Sequence, residues 1–229
     1  MEFNSTILEI IQRTYDVKSF RLIRHPKFSF KPGQYLRITL TINEKEEKRY
    51  YSISSSPTQN EFLEFTQKLT NREFSSKLDN LKKGDIVKID GPYGDFTFEG
   101  EYGKVAMLAG GVGITPCASM ITYCVDKKIE SNIVVIYSNK TEADILFKNE
   151  FDQLEKENPH IKIVYTLTRA NESWDGYSRR IDKEMILTEI PDFSNRIFFL
   201  CGPQIFVTSM EEILVKLNVN KDNIRKENF

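Results

Sequence analysis

The chain has 229 residues, which is enough for one large or two small domains with a sizeable core. Its 32 basic and 33 acidic residues almost cancel and form no long basic run, so the composition does not favour nucleic-acid binding. It has no apolar run of membrane-spanning length, no secretory signal, and too few cysteines for a disulfide framework. We therefore expect a soluble, reduced, cytoplasmic monomer without a metal site or membrane contact.

The first hundred residues have the pattern of a β domain. Short apolar or alternating segments recur at near-regular spacing and are separated by turns such as Lys31–Gln34. We predict strands at residues 7–11, 19–23, 35–40, 49–54, 61–69 and 86–89, with one helix at 74–81. Many short strands of this kind predict a closed antiparallel β-barrel.

From Gly103 the pattern changes to strands that alternate with helices. We predict strands at 105–108, 133–137, 161–167 and 197–200, and helices at 115–127, 143–157, 182–189 and 203–217. Apolar strands that alternate with helices are typical of a parallel sheet covered on both faces. We therefore expect two domains, a β-barrel at residues 1–100 and an α/β domain at residues 101–229.

A glycine-rich turn follows the first strand of the predicted α/β domain. Gly110, Gly111 and Gly113 remove side chains where the chain turns from strand to helix. Thr115 and Pro116 are the residue types of an N-cap and a first helical position. The free N–H groups and the positive dipole end of such a helix would form a seat for phosphate. The alternative is a tight turn without a ligand, because the spacing is not the full dinucleotide fingerprint.

A second candidate site is the run Arg49-Tyr50-Tyr51-Ser52 in the predicted barrel. A guanidinium suits a diphosphate, a tyrosine can lie along a flat heteroaromatic ring, and a hydroxyl can bond a ring nitrogen. In a strand, Arg49 and Tyr51 share one face, and Tyr50 and Ser52 share the other. Taken alone, the run also fits an amphipathic strand with a surface arginine.

Four motifs in chain order give the sequence its resemblance to a known family. They are Arg49-Tyr50-Tyr51-Ser52, Gly91-Pro92-Tyr93-Gly94-Asp95-Phe96, Gly110-Gly111-Val112-Gly113-Ile114-Thr115-Pro116 and Cys201-Gly202-Pro203. In this order and spacing, the chain resembles the ferredoxin–NADP reductase superfamily. The resemblance implies an antiparallel β-barrel that binds FAD, followed by a Rossmann-like parallel-sheet domain that binds a nicotinamide dinucleotide.

The resemblance implies roles for residues of the barrel. Arg49 would hold the FAD diphosphate, Tyr51 would lie against the isoalloxazine or ribityl chain, and Ser52 would face flavin N5. Ser75, at the start of a helix, would also meet the diphosphate. The full set of expected flavin contacts is Arg49, Tyr50, Tyr51, Ser52, Thr66, Gln67, Lys68 and Ser75.

For the second domain, the resemblance implies a dinucleotide seat. The expected contacts are Gly111, Gly113, Thr115, Lys140, Arg169, Arg180, Cys201, Gly202 and Pro203. Lys140, Arg169 and Arg180 fall where NADPH-using relatives hold the 2′-phosphate, so we expect NADPH, with NADH as the alternative. These residues also fit solvated loop charges, and Glu142 nearby weakens the preference.

Two further residues join Ser52 as expected contributors to catalysis. Cys201 lies where the family places a thiol beside nicotinamide C4, and Phe229 resembles the family's aromatic that covers the flavin face. The alternatives are a small buried hydrophobe for Cys201 and a frayed terminus for Phe229.

The function implied by the resemblance is that of an FAD-dependent NAD(P)H oxidoreductase. Hydride would pass from nicotinamide C4 to flavin N5, and electrons would leave singly to ferredoxin or flavodoxin. The sequence contains no plant-type iron–sulfur segment, so we expect the carrier to be a separate molecule. The alternatives are an NAD(P)H:flavin reductase that uses free flavin as substrate, an electron-transfer subunit of a larger complex, and a binding module without flavin.

Overall fold

The computed structural model describes residues 1–228, so Phe229 and its expected flavin contact lie outside the described residues. Within residues 1–228, the chain forms an antiparallel six-stranded sheet followed by a parallel five-stranded sheet with helices. This order of architectures is the one that the sequence predicts.

The antiparallel sheet is formed by the first six strands. Their bounds are β1 (Glu2–Thr14), β2 (Val17–Ile23), β3 (Tyr35–Ile42), β4 (Lys45–Ser52), β5 (Phe62–Lys68) and β6 (Ile86–Tyr93), and α1 (Glu73–Asp79) follows β5. The strand order is β4-β3-β6-β1-β2-β5. An antiparallel bridge between Ile53 and Phe65 joins the two edge strands, so the sheet closes around a buried apolar core that includes Phe20 and Ile38.

The parallel sheet alternates with helices along the chain. The elements are β7 (Lys104–Gly110), α2 (Ile114–Asp126), β8 (Asn132–Asn139), α3 (Lys148–Glu157), β9 (Ile161–Leu167), α4 (Lys183–Glu189), β10 (Ile197–Gly202), α5 (Gln204–Lys216) and β11 (Ile224–Asn228). The strand order is β11-β10-β7-β8-β9. Neighbouring residues of β7 face opposite cores, with Met107 beside α2 and Leu108 beside α5, so both faces of the sheet are covered.

The predicted helix starts differ from the observed ones by one residue in α1, α2, α4 and α5 and by five residues in α3. The helix expected from residue 143 begins at Lys148, because Phe147 has a left-handed backbone with φ of 58° and interrupts the helical path. Thr115 is not an N-cap, because α2 begins at Ile114 and Gly113 occupies the cap position. Pro203 is the N-cap of α5 and not its first helical residue.

Strand β11 is absent from the prediction. Its sequence Ile224-Arg225-Lys226-Glu227-Asn228 has one apolar residue and neither period of an amphipathic element. It forms at the edge of the sheet, where the backbone of Phe198 to Gly202 in β10 pairs with it in parallel. Because β11 forms through pairing with a distant strand, no local sequence pattern predicts it.

The two sheets are joined by residues 94–103, where we propose to place the domain boundary. Val17 of the barrel and Phe96 and Phe98 of the joining segment belong to the same apolar cluster as β7 and α2, and the ring of Phe96 lies 5.2 Å from that of Phe199. The two domains therefore share a continuous apolar interface. Among residues 1–228, no helix combines the length and the apolar character that a membrane crossing requires.

Candidate functional site

A cavity of about 620 Å³, called here the site cavity, lies where the barrel meets the carboxyl edge of the parallel sheet. Strands β4 and β5 and helix α1 form its barrel side, and the glycine turn after β7 and the end of β11 form the other. All eight residues expected to contact flavin line it, namely Arg49, Tyr50, Tyr51, Ser52, Thr66, Gln67, Lys68 and Ser75. Thr115 of the expected dinucleotide seat lines the same cavity.

The end of β4 is held by aromatic contacts on both of its faces. The ring of Tyr51 lies 5.0 Å from that of Phe65 in β5, and the guanidinium of Arg49 lies 5.2 Å from the ring centroid of Phe74 in α1. On the other face, the Tyr50 ring meets that of Tyr35 edge-on at 5.6 Å. Burial raises the pKa of the Tyr51 phenol, which stays neutral and offers a flat face.

Among the charged side chains that line the site cavity, cations outnumber the one carboxyl group, that of Glu227. Four cations line it, and three of them have acidic partners: Arg49 with Glu47 at 3.0 Å, Lys68 with Asp16 at 2.6 Å and Lys226 with Glu211 at 2.8 Å. For the fourth, Arg72, the part of the chain that the structure describes supplies no ion-pair partner. This excess of donors fits an anionic group such as a diphosphate.

Glu227 is a site residue that the sequence did not reveal. It lies in β11, and the hydroxyl of Ser52 donates to its Oε2 at 3.3 Å. Burial raises the pKa of this carboxyl to about 7, and the hydrogen bond from Ser52 offsets part of the rise. Without strand β11, nothing in the sequence placed this carboxyl beside Ser52.

The hydroxyl of Ser75 has a structural partner. Its Oγ accepts a hydrogen bond of 2.8 Å from the backbone N–H of Thr70, and the side chain is buried. The hydroxyl thus holds the turn between β5 and α1. Arg72 on that turn reaches the site cavity and was not among the expected contacts.

The glycines of the turn after β7 have different roles. A Cβ added at Gly113 would lie 2.6 Å from the carbonyl carbon of Cys201, so Gly113 allows α2 to approach the end of β10. Gly111 has φ of 54°, and a Cβ there would meet no atom within 4 Å. The backbone at Gly111 is therefore the open part of the turn.

Cys201 does not line the site cavity. Its side chain is fully buried in the apolar cluster beside Cys117, and burial raises the pKa of its thiol well above the ordinary value. The thiol is therefore neutral and buried, and its expected place beside nicotinamide C4 stays a prediction. Gly202 is also buried and lies against the ring of Phe206, and Pro203 is the first exposed residue of the motif.

The three expected 2′-phosphate ligands lie on loops after β8 and β9. Lys140, Arg169 and Arg180 are exposed, and the backbone N–H of Arg169 donates to the carbonyl of Lys140 at 2.7 Å. Arg179, by contrast, pairs with Asp182 at 3.0 Å and Glu184 at 3.4 Å. Between Met1 and Asn228, no ion pair is formed by the three expected ligands, so their charges are available to an anion.

Comparison with known protein families matches both halves of the chain. Residues 6–98 match the oxidoreductase FAD-binding domain, and residues 107–212 match the oxidoreductase NAD-binding domain. NADH-cytochrome b5 reductase 1 of Dictyostelium discoideum is 30% identical over 196 residues, which cover 84% of this chain and 68% of that protein. The chain belongs to the ferredoxin–NADP reductase superfamily.

Other members of the superfamily agree with this assignment. The glycine betaine monooxygenase reductase subunit of Chromohalobacter salexigens is 30% identical over 234 residues, 99% of this chain and 64% of that protein. The chain thus spans less than two thirds of that relative. The FAD/NAD-binding domain of a Vibrio cholerae nitric oxide dioxygenase is 25% identical, with a TM-score of 0.89 over 99% of this chain and 98% of that one. The chain itself therefore has an FAD-binding domain followed by an NAD-binding domain.

Proposed function

We propose that the chain is an FAD-dependent oxidoreductase that takes electrons from NADPH and passes them to a separate one-electron carrier such as ferredoxin or flavodoxin. The observation that supports this most strongly is the gathering of all eight expected flavin contacts in one positively charged cavity beside the glycine turn. The FAD-binding and NAD-binding family matches fall on the two sides of that cavity.

The residues of the site cavity fit FAD, and different residues bind its diphosphate and its ring system. Arg49 and Arg72 donate to the diphosphate, while the face of Tyr51 orients the ring system. Bound FAD supplies the hydride acceptor and the site from which electrons leave singly. Ser52 and Glu227 hold a hydrogen-bonded proton at the join of the two domains, where the cofactors meet.

The nicotinamide dinucleotide occupies the carboxyl edge of the parallel sheet in this proposal. The open backbone at Gly111 and the start of α2 hold its phosphates, and the free cations Lys140, Arg169 and Arg180 select the 2′-phosphate of NADPH. Cys201 is buried and lies two residues before the exposed Pro203, so in this proposal it shapes the surface beneath the nicotinamide. NADH is the alternative, and the Dictyostelium relative is named for it.

A second candidate function is that of the reductase subunit of a larger complex. It is favoured by the Chromohalobacter relative, which is named as the reductase subunit of a monooxygenase and extends well beyond the length of this chain. In that case the carrier would be another component of the complex, and the free protein would reduce ferredoxin and flavodoxin slowly.

The test is an absorption spectrum of the purified protein, followed by anaerobic addition of NADPH or NADH. We expect stoichiometric FAD that bleaches faster with NADPH and then reduces added ferredoxin or flavodoxin. A protein without bound flavin that reduces free flavin would instead indicate a flavin reductase. Bound FAD that reduces neither carrier would favour the complex subunit, and a protein that binds no flavin would refute the proposal.

A further inference from the structure

The side chain of Arg13, near the end of β1, extends from the barrel to the α/β domain. Its side chain is only 11% exposed, and its NH1 lies 2.5 Å from Oε1 of Glu150 in α3. The same guanidinium lies 4.6 Å from the ring centroid of Phe147. Both contacts are made to residues of the other domain, so Arg13 is an interdomain contact of the barrel.

Within the barrel, Arg13 is held by buried polar groups. Its Nε donates to Ser19 at 2.9 Å, and its NH2 donates to both carboxyl oxygens of Glu64 at 3.3 Å. Glu64 is buried and accepts from the hydroxyl of Ser54 at 3.0 Å. The Ser54 hydroxyl lies 3.1 Å from that of Thr66, which lines the site cavity. A continuous buried network therefore connects Arg13 to the flavin-binding strand.

On the α/β side, Arg13 meets a segment with an unusual backbone. Phe147 has φ of 58°, in a region that bulky residues rarely adopt, and it comes directly before α3. Such a conformation persists only where the surroundings determine it. The Phe147 ring is buried between Phe151 at 6.0 Å and the guanidinium of Arg13. The barrel thus helps to fix the start of α3.

Arg13 also lies at a second opening between the domains. This second cleft, of about 490 Å³, is lined from the barrel side by Arg13, Ser54 and Ser55 and from the α/β side by Ala118, Thr122 and Phe147. Within residues 1–228, it shares no lining residue with the site cavity. The segment from Ser52 to Ser56 runs from one opening to the other.

On the segment from Ser52 to Ser56, a buried hydrogen bond joins the two domains. The hydroxyl of Ser119 in α2 donates to the carbonyl oxygen of Ser55 at 2.7 Å. On the site-cavity side, Ser52 bonds Glu227, and on the second-cleft side, Arg13 bonds Glu150. A rotation of one domain about the Ser119–Ser55 bond would change the width of both openings, so a contact at the second cleft would affect the site cavity.

We propose that Arg13 is a positioning residue that fixes the angle between the two domains and thereby the approach of the nicotinamide to the flavin. The inference rests on the proposed function, in which the barrel holds FAD and the α/β domain holds the dinucleotide. Hydride transfer requires the reacting atoms at about 3–3.5 Å, and a misplacement of ~1 Å slows such a step ~100-fold. Arg13 touches neither cofactor site, so its effect is on their separation.

The chain offers a matched control in Arg21. Its Nε also donates to Glu64, at 2.9 Å, and its guanidinium also lies over an aromatic ring, that of Phe62 at 4.4 Å. Its remaining partner is Glu9, so each of these contacts lies within the barrel. Replacing Arg21 therefore disturbs the same buried carboxyl without removing an interdomain contact.

The experiment compares Arg13→Met and Arg21→Met in the full chain loaded with FAD. The readouts are the FAD dissociation constant, the Tm, the charge-transfer absorbance that forms when nicotinamide stacks on flavin, and the single-turnover rate of flavin reduction. For Arg13→Met we expect a loss of most of the charge-transfer absorbance and a reduction rate at least 10-fold lower, with FAD affinity within about threefold of wild type. For Arg21→Met we expect a similar fall in Tm and a rate within twofold.

Two variants on the α/β side keep the test decisive should Arg13→Met not fold. Glu150→Gln removes the charge and Phe147→Leu removes the ring that Arg13 meets in the other domain, while Glu64 still pairs with Arg13, and we expect each variant to reduce the charge-transfer absorbance. Unchanged absorbance and rate in all Arg13, Glu150 and Phe147 variants, or an equal loss in Arg21→Met, would overturn the proposal. Failure of the proposed function is a separate result, because the wild-type protein itself would then bind no FAD or show no reduction.

Discussion

The hydroxyl of Ser52 donates a hydrogen bond to Oε2 of Glu227, and this bond joins the last residue of β4 to the last strand of the parallel sheet. The two residues are 175 positions apart in sequence and come from different domains. Both line the site cavity, where a carboxyl with a pKa near 7 adjoins the hydroxyl expected to face flavin N5.

The half-buried carboxyl of Glu227 predicts a pH dependence of stability in the FAD-free protein. Its pKa is about 7 in the folded state and near 4.5 ordinarily, so the folded state binds the proton more tightly. The stabilisation from this proton is fully present below about pH 4.5 and is lost as the pH rises to 7. For Glu227→Gln, we expect the free energy of unfolding at pH 8 to exceed that of wild type by about 2–3 kcal/mol.

Urea unfolding of both proteins at intervals from pH 5 to 8 tests this prediction. The two stability curves should diverge as the pH rises and then run parallel above pH 7. Curves that stay parallel over the whole range would show that the Glu227 carboxyl titrates at its ordinary pKa.

Arg49 is predicted to supply binding energy for the diphosphate of FAD. A hydrogen bond to a charged group is worth about 1.5–3 kcal/mol, so Arg49→Ala should raise the FAD dissociation constant about 10- to 100-fold. Lys48→Ala is the control, because Lys48 is exposed on the same strand and does not line the site cavity. Flavin fluorescence gives both constants, and riboflavin, which has no phosphate, should bind both variants alike. An equal loss for riboflavin would mean that Arg49 supports the fold instead.

The close approach of Gly113 to β10 predicts that a side chain at this position destabilises the fold. Gly113→Ala would force a Cβ against the backbone of Cys201, so we expect a loss of about 1–3 kcal/mol or more in stability. Gly103→Ala is the matched control, because its Cβ would meet no atom within 4 Å. Thermal unfolding compares the two. A variant of Gly113 as stable as that of Gly103 would show that α2 can move away from β10 without cost.

The barrel side of the site follows from the sequence because its residues are near one another along the chain. Strand alternation placed Arg49 and Tyr51 on one face of β4, and both contact Phe74. The order of the four motifs then gave the resemblance to a family, and the resemblance assigned flavin-binding roles that the local pattern alone could not. The Ser75 hydroxyl accepts a hydrogen bond from a backbone N–H close by in the chain. Sequence analysis cannot show whether a serine makes such a local bond or contacts a ligand.

The remaining parts of the site depend on tertiary contacts. Glu227 reaches Ser52 only because the polar strand β11 pairs with β10, and no apolar period marks that strand. The late start of α3 depends on Phe147, whose left-handed backbone is supported by Arg13 from the other domain. The β10–β11 pairing joins residues 26 positions apart, and Arg13 and Phe147 are 134 positions apart, so both interactions lie beyond the range of periodicity and capping rules.

The choice between NADPH and NADH is predicted to depend on the free cations beyond β9. Arg169 and Arg180 are exposed and form no ion pair within the described chain, so a 2′-phosphate can bind them without displacing an acid. We expect the double variant Arg169→Ala/Arg180→Ala to raise the KM for NADPH about tenfold or more and to leave that for NADH within twofold.

Arg179→Ala is the control for this prediction, because Arg179 is the neighbour of Arg180 and already pairs with Asp182 and Glu184. Its loss should change neither KM appreciably. Steady-state kinetics with both cofactors, repeated at two salt concentrations, separates a specific phosphate contact from general attraction, because only the latter is strongly screened. If the double variant weakens NADH as much as NADPH, these arginines contact a part common to both cofactors, and the basis for the NADPH preference is lost.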